Sequence, residues 1–141
     1  MKNIKIIFWA SVVVFVFIIA QMFVPPVQEL ISGPLFLFPF IIFTLLGVAL
    51  VVLTRRLKPA ATNLKQKQYM YITGAGAAGV FVFVFLHNAF YALAEITSHI
   101  VALSYLLTAL SVTSFFLAII ICPLAYLIGA TIVIINLIKK K

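Results

Sequence analysis

The stretch Tyr69-Met-Tyr-Ile-Thr-Gly-Ala-Gly-Ala-Ala-Gly79, then Val80-Phe-Val-Phe-Val-Phe-Leu86, then His87-Asn88-Ala-Phe-Tyr91-Ala-Leu-Ala-Glu95, decides the fold. It carries no Lys, Arg, Asp or Glu before its final residue. A helix needs about 20 apolar residues to cross a ~30 Å hydrocarbon layer, and this run is long enough. Barrel strands are shorter and alternate in polarity, so a helix is implied. Further apolar runs at 6–24, 35–53 and 100–138 repeat the pattern. Of the 141 residues, 66% are hydrophobic and 9% charged. A soluble domain is about half apolar and a quarter charged, so lipid is the solvent that suits this chain.

The basic residues fall in three groups: Lys2 and Lys5; Arg55, Arg56, Lys58, Lys65 and Lys67; and Lys139, Lys140 and Lys141. Each group ends an apolar run, as cytoplasmic anchors do under the positive-inside rule. Glu29 and Glu95 fall in the segments left for the other side. The net charge of +8 therefore reads as topology and not as nucleic-acid binding. Membrane lipids are the expected surroundings, and anionic headgroups are drawn to such loops.

The predicted fold is all-α: a polytopic four-helix transmembrane bundle, both termini cytoplasmic. Its spans lie at about 6–24, 35–54, 69–94 and 114–138. The cytoplasmic loop is 55–68 and an outer segment covers 95–112. The first run exceeds the h-region of a signal peptide, and no small-x-small site precedes Pro25-Pro26, so it reads as a retained helix. The two prolines end it, a short outer loop Val27 to Gly33 follows, and Ser32-Gly33-Pro34 reads as the next helix start. Pro39 implies a loose or kinked first turn. Residues 96–138 as one helix would reach ~65 Å, about twice the hydrocarbon layer. Two crossings there would strand Lys139–Lys141 outside. One crossing keeps every basic cluster inside. Thr97, Ser104, Thr108 and Ser111 recur at helical spacing, so 96–111 is predicted as a short outer amphipathic helix before the fourth span.

Three segments carry a resemblance. Leu86-His87-Asn88-Ala-Phe-Tyr91-Ala-Leu93, Phe115-Phe-Leu-Ala-Ile-Ile-Ile-Cys122-Pro123-Leu-Ala-Tyr-Leu-Ile-Gly129 and Gly33-Pro-Leu-Phe-Leu-Phe-Pro39 resemble segments of small uncharacterised prokaryotic four-helix integral membrane proteins. The resemblance implies four crossings and carries no function. The chain departs from the pattern where Ile96–Ser111 is apolar and a polar outer loop is expected.

Gly74-Ala-Gly-Ala-Ala-Gly79 matches a dinucleotide-binding spelling, but that fingerprint needs a strand before it and a soluble βαβ unit around it. Here it leads into a membrane run. Gly74/Ala78 and Ala75/Gly79 read better as small-x-x-x-small pairs for close helix packing. His87, Tyr91 and Glu95, spaced by four, share one helical face. Asn88 flanks them, and His99 would extend the stripe if the helix continued. Ionisable groups inside membrane helices are costly and mark pathways or wet cavities, so this is the candidate polar site. Its plainer alternative is an interfacial cluster with Glu95 in water. No metal site is expected, because no zinc-binding spacing accompanies the two histidines. No cofactor is expected either. Pro123 predicts a kink in the last helix. Cys122, a buried thiol in apolar surroundings, is not a nucleophile candidate.

Two functional classes follow. One is a non-enzymatic membrane subunit or scaffold that acts through helix–helix packing, as a homo-oligomer or with a membrane-protein partner. The other is a small transporter or channel with a proton- or cation-handling site at the outer end of the third helix. A membrane enzyme ranks last, for want of a nucleophile–base constellation.

Overall fold

The computed structural model describes residues 2–30, 33–57 and 64–139. Ser32, Lys58, the 59–63 stretch, Lys140 and Lys141 lie outside the described residues. The elements are α1 (Lys2–Phe23), α2 (Pro25–Leu30), a 3₁₀ turn (Gly33–Leu37), α3 (Phe38–Arg56), α4 (Leu64–Ile96), α5 (Val101–Phe116), a π-helical segment (Leu117–Ile121) and α6 (Cys122–Ile138). Four stretches are long and apolar enough to cross a membrane: Asn3–Phe23, Leu35–Arg56, Leu64–Ile96 and Val101–Ile138. Such runs form helices because a backbone in lipid must satisfy its own polar groups.

The prolines do what their missing donors dictate. Pro25 and Pro26 end α1, since neither can return a hydrogen bond to the preceding turn. The Met22 carbonyl that Pro26 would have bonded accepts instead from Gln28 Nε2 at 2.7 Å. Gln28 lies in α2, so Val27–Leu30 of the expected outer loop belongs to a short helix. Pro39 sits in the first turn of α3, where a missing N–H costs nothing.

Consecutive long helices run antiparallel. Along α3 and α4, Gly47 lies against Gly74 and Ala78, and Arg55 bonds Tyr71. Along the last pair, Thr73 meets Gly129, Gly76 meets Cys122 and Tyr126, and His87 meets Ser111. The core lies where all four helices meet. Tyr126 is 1% exposed, and its ring sits 4.7 Å from Phe15 and 4.9 Å from Phe43. Its hydroxyl is 3.2 Å from Ser11 Oγ. Gly76 makes the room: a Cβ there would stand 2.7 Å from the Tyr126 nitrogen and 2.8 Å from the Cys122 carbonyl oxygen. Gly47 does the same on the other side, at 2.6 Å from the Ala78 nitrogen.

The 38 residues from Val101 to Ile138 form one uninterrupted helical rod. The separate outer helix expected over 96–111 is not separate. α4 continues to Ile96, the chain turns over Thr97–Ile100, and α5 returns along α4 and passes through the π segment into α6. The reason lies in the hydroxyls that suggested an amphipathic surface helix. Ser104 Oγ donates to the Ala94 carbonyl at 3.1 Å, and Ser111 donates to the His87 carbonyl at 3.1 Å. Ser104 and Ser111 thus form a seam between two helices, whereas Thr97 and Thr108 bond the carbonyls four residues back, of Leu93 and Ser104. At the other end, α4 starts at Leu64, taking up part of the expected 55–68 loop.

Lengths then set the shape. α1 and α3, of 22 and 19 residues, are ~33 and ~29 Å long. α4, with 33 residues, is ~50 Å, and the Val101–Ile138 rod is ~57 Å. Since Gly47 is level with Gly76, the start of α3 comes level with about residue 85 of α4. From there the α4–α5 hairpin runs on past the start of α3 for about 11 residues, ~16 Å.

Candidate functional site

The residues singled out on α4 do not converge. His87 is half-buried against α5, whereas Asn88, Tyr91, Glu95 and His99 are exposed. Asn88 Nδ2 donates to the Val84 carbonyl on its own helix at 2.8 Å. α4 ends at Ile96, so His99 sits in the turn and does not extend the stripe. Among the described residues, no group of three or more His, Cys, Asp or Glu side chains is placed to hold a metal ion.

What the hairpin does build is a reciprocal pair. Ser111 Oγ lies 2.9 Å from His87 Nδ1 and 3.1 Å from the His87 carbonyl, and Nδ1 also lies 3.1 Å from the Ser111 carbonyl. One assignment uses every group: the Ser111 hydroxyl donates to the His87 carbonyl, and Nδ1–H donates to Ser111. Nε2 is then the acceptor nitrogen. Phe115 lies beside the ring, 5.2 Å between centroids. The pair closes the hairpin about seven residues inside Ala94–Ser104, two helical turns on.

The small residues split by face. Gly74 and Ala78 pack on Gly47 of α3, and Gly79 meets the Cys122 sulfur on α6. Ala75 is exposed. Gly76, outside the two small-x-x-x-small pairs, makes the contact at the centre, on Tyr126. Tyr126 and Ser11 escaped notice because each is a lone, weakly polar residue in an apolar run. Only the small residue opposite, Gly76, hinted that something large fills the space. Pro123 lies two residues past the π segment, and the Cys122 N–H bonds the Leu117 carbonyl five residues back.

A second polar locus lies at the opposite end, between the end of α3 and the start of α4. Thr54, Arg55, Leu64, Lys67, Gln68, Tyr69, Tyr71 and Ile72 line a groove of about 580 Å³. Arg55 Nη2 donates to the Tyr71 hydroxyl at 2.8 Å, and its guanidinium lies 5.4 Å from the centroid of the same ring. Lys67 Nζ donates to the Leu57 carbonyl at 2.7 Å. Sequence reading assigned Arg55, Leu57, Leu64, Lys67 and Gln68 to the 55–68 loop, and Thr54, Tyr69, Tyr71 and Ile72 to the flanking spans. The signal that would have found them is that Arg55 and Lys67 flank a short connection and must end at one level.

No protein-family model, no curated protein and no solved structure matches the chain.

Proposed function

We propose that the chain is a non-enzymatic integral membrane subunit or scaffold of a prokaryotic plasma membrane, both termini cytoplasmic, working through helix–helix packing. The observation that carries this reading is the α4–α5 hairpin, which outruns its own bundle and keeps apolar side chains on its outside. Tyr105 and Ile96 are 75% and 71% exposed, and Tyr91, Leu93, Val101 and Leu106 are exposed beside them. The bundle satisfies its own packing with its glycines, so Gly74, Gly76 and Gly79 are not left over for a partner. The hairpin is. Beyond α3 those sides have only lipid or a partner to cover them, and the scaffold reading assigns them to a partner. The filled centre supports the same reading, since the Tyr126 ring occupies the axis that a conduit would need.

The test is a photo-crosslinking residue at position 105 or 96 in intact membranes. A protein adduct of defined mass, the chain itself or another, supports the scaffold reading. Adducts to lipid alone overturn it. Orientation is tested by cysteines at positions 2 and 139, expected to label only from the cytoplasm; labelling of position 139 from outside overturns the four-span topology.

A second reading, a proton- or cation-handling transporter, draws on His87, an ionisable group held between two membrane helices. Proton flux into proteoliposomes that vanishes in His87→Leu would replace the first reading with this one.

A further inference from the structure

We propose that the groove between the end of α3 and the start of α4 binds the phosphate of an anionic membrane lipid. Charge comes first. Arg55 and Lys67 project at one end of the bundle, and Lys5, Arg56, Lys65 and Lys139 share that end. The chain has only two acidic side chains, Glu29 and Glu95, and both lie at the other end. No carboxylate side chain of this molecule can therefore reach the groove, and its cations must be balanced from outside.

Geometry comes second. Arg55 is held in place by Tyr71, through the 2.8 Å hydrogen bond and the ring beneath it. This contact uses one of the five guanidinium N–H groups and leaves the others for an anion. Lys67 is anchored on the Leu57 carbonyl and keeps two of its three donors. The two cations face one groove that Gln68 and Tyr69 also line.

An unpartnered buried hydroxyl is the third observation. Thr44, Thr73, Thr97, Thr108 and Thr113 each donate to the carbonyl four residues back. Thr54, fully buried in the wall of this groove, does not, and its Oγ1 has no partner. A buried hydroxyl without a partner is costly, so such atoms point to an absent one.

The groove is also two-faced. Leu64 and Ile72, both exposed, line its apolar flank. A free phosphate would leave that flank bare, whereas a lipid sets its headgroup on Arg55 and Lys67 and its chain along Ile72. Anionic lipid is enriched in the cytoplasmic leaflet where the proposed orientation puts this end. The inference rests on that orientation.

The test uses the purified full chain in nanodiscs of phosphatidylcholine with a fraction of phosphatidylglycerol. Native mass spectrometry then counts the lipids that stay bound on release. Phosphatidylglycerol should be retained over phosphatidylcholine by about thirtyfold, the scale set by two basic side chains near a membrane surface. Arg55→Gln with Lys67→Gln should bring the two lipids level, and Lys5→Gln should change nothing. Lys67→Gln alone keeps the Arg55–Tyr71 contact and should lose part of the preference, which covers the case of a misfolded double variant. Equal retention of both lipids by the unmodified chain overturns the site, as does an equal loss from Lys5→Gln. Displacement of the lipid by excess inorganic phosphate would reassign the groove to a soluble phosphate compound. A chain that fails to enter nanodiscs refutes the membrane reading, whereas one that enters without preference refutes only the groove.

Discussion

The two halves of the α4–α6 pair are built on opposite terms. From Tyr69 to Gly79, α4 is closed in by α3 and α6, and glycine lets backbone meet backbone around the Tyr126 ring. From Leu86 to Ile96, α4 has only α5, which it meets through hydroxyl and imidazole bonds to carbonyls. Association in lipid draws on tight packing and on interhelical hydrogen bonds. One half of this molecule uses the first and the other half the second. Stability should therefore concentrate in the glycine half, while the projecting half can be altered at little cost to the fold.

The strongest way to break that contrast is Tyr126→Ala. It empties the space between Phe15, Phe43 and Gly76, and large-to-small changes of this size cost about 3–5 kcal/mol. Unfolding of the purified chain in mixed micelles should shift accordingly. A shift no larger than that of His87→Leu would show that the ring is not central.

Gly47→Ala and Gly76→Ala come next, at about 1–3 kcal/mol each, because the new methyl meets backbone atoms that cannot move aside. Gly79→Ala sharpens the point. Its Cβ would meet the Cys122 sulfur at 2.6 Å, with the next atoms, in Phe83, at 3.7 Å, so a rotated thiol relieves it and the loss should be smaller. Equal losses at Gly76 and Gly79 would mean that backbone approach is not what matters.

His87→Leu should be mild, since interhelical hydrogen bonds of this kind average about 0.6 kcal/mol in double-mutant cycles. Combined with Ser111→Ala it should cost little more than either alone, because both remove one pair. The smallest effect on folding belongs to Tyr105→Ser with Leu106→Ser at the exposed tip. Unfolding in micelles should be unchanged, while crosslinking to the proposed partner should be lost.

Much of this architecture was legible in the residues. The four apolar runs, the proline stop after α1 and the turn before α3 each follow from composition and missing donors. The outer segment was misread for a physical reason: hydroxyls at helical spacing look the same whether they face water or a neighbouring helix. Only the partner carbonyls of Ala94 and His87 distinguish the two cases. The His87–Glu95 stripe shows the opposite error. Side chains on one face of a helix converge only if another element stands opposite, and α3 stops level with about residue 85. Tyr126 was hidden because a single tyrosine in an apolar run carries no pattern of its own.

The π segment has a consequence for insertions and deletions. Ser114, Ala118, Cys122, Tyr126 and Ala130 are all buried, each four residues after the last. In a plain α-helix that spacing drifts by about 40° per step, and the last of the five would lie about 160° around from the first. The wider turn at Leu117–Ile121 absorbs one residue, worth about 100° of rotation. It therefore acts as a phase shifter, letting α5 aim Ser111 at His87 while α6 aims Tyr126 at Gly76. Deleting one residue from Leu117–Ile121 would close the wide turn to a plain α-helix with both ends still in phase, whereas adding one would leave every side chain chemically intact yet turn one end about 100° away from its partner. Length itself, at that one point in the rod, carries the information that the side chains carry elsewhere.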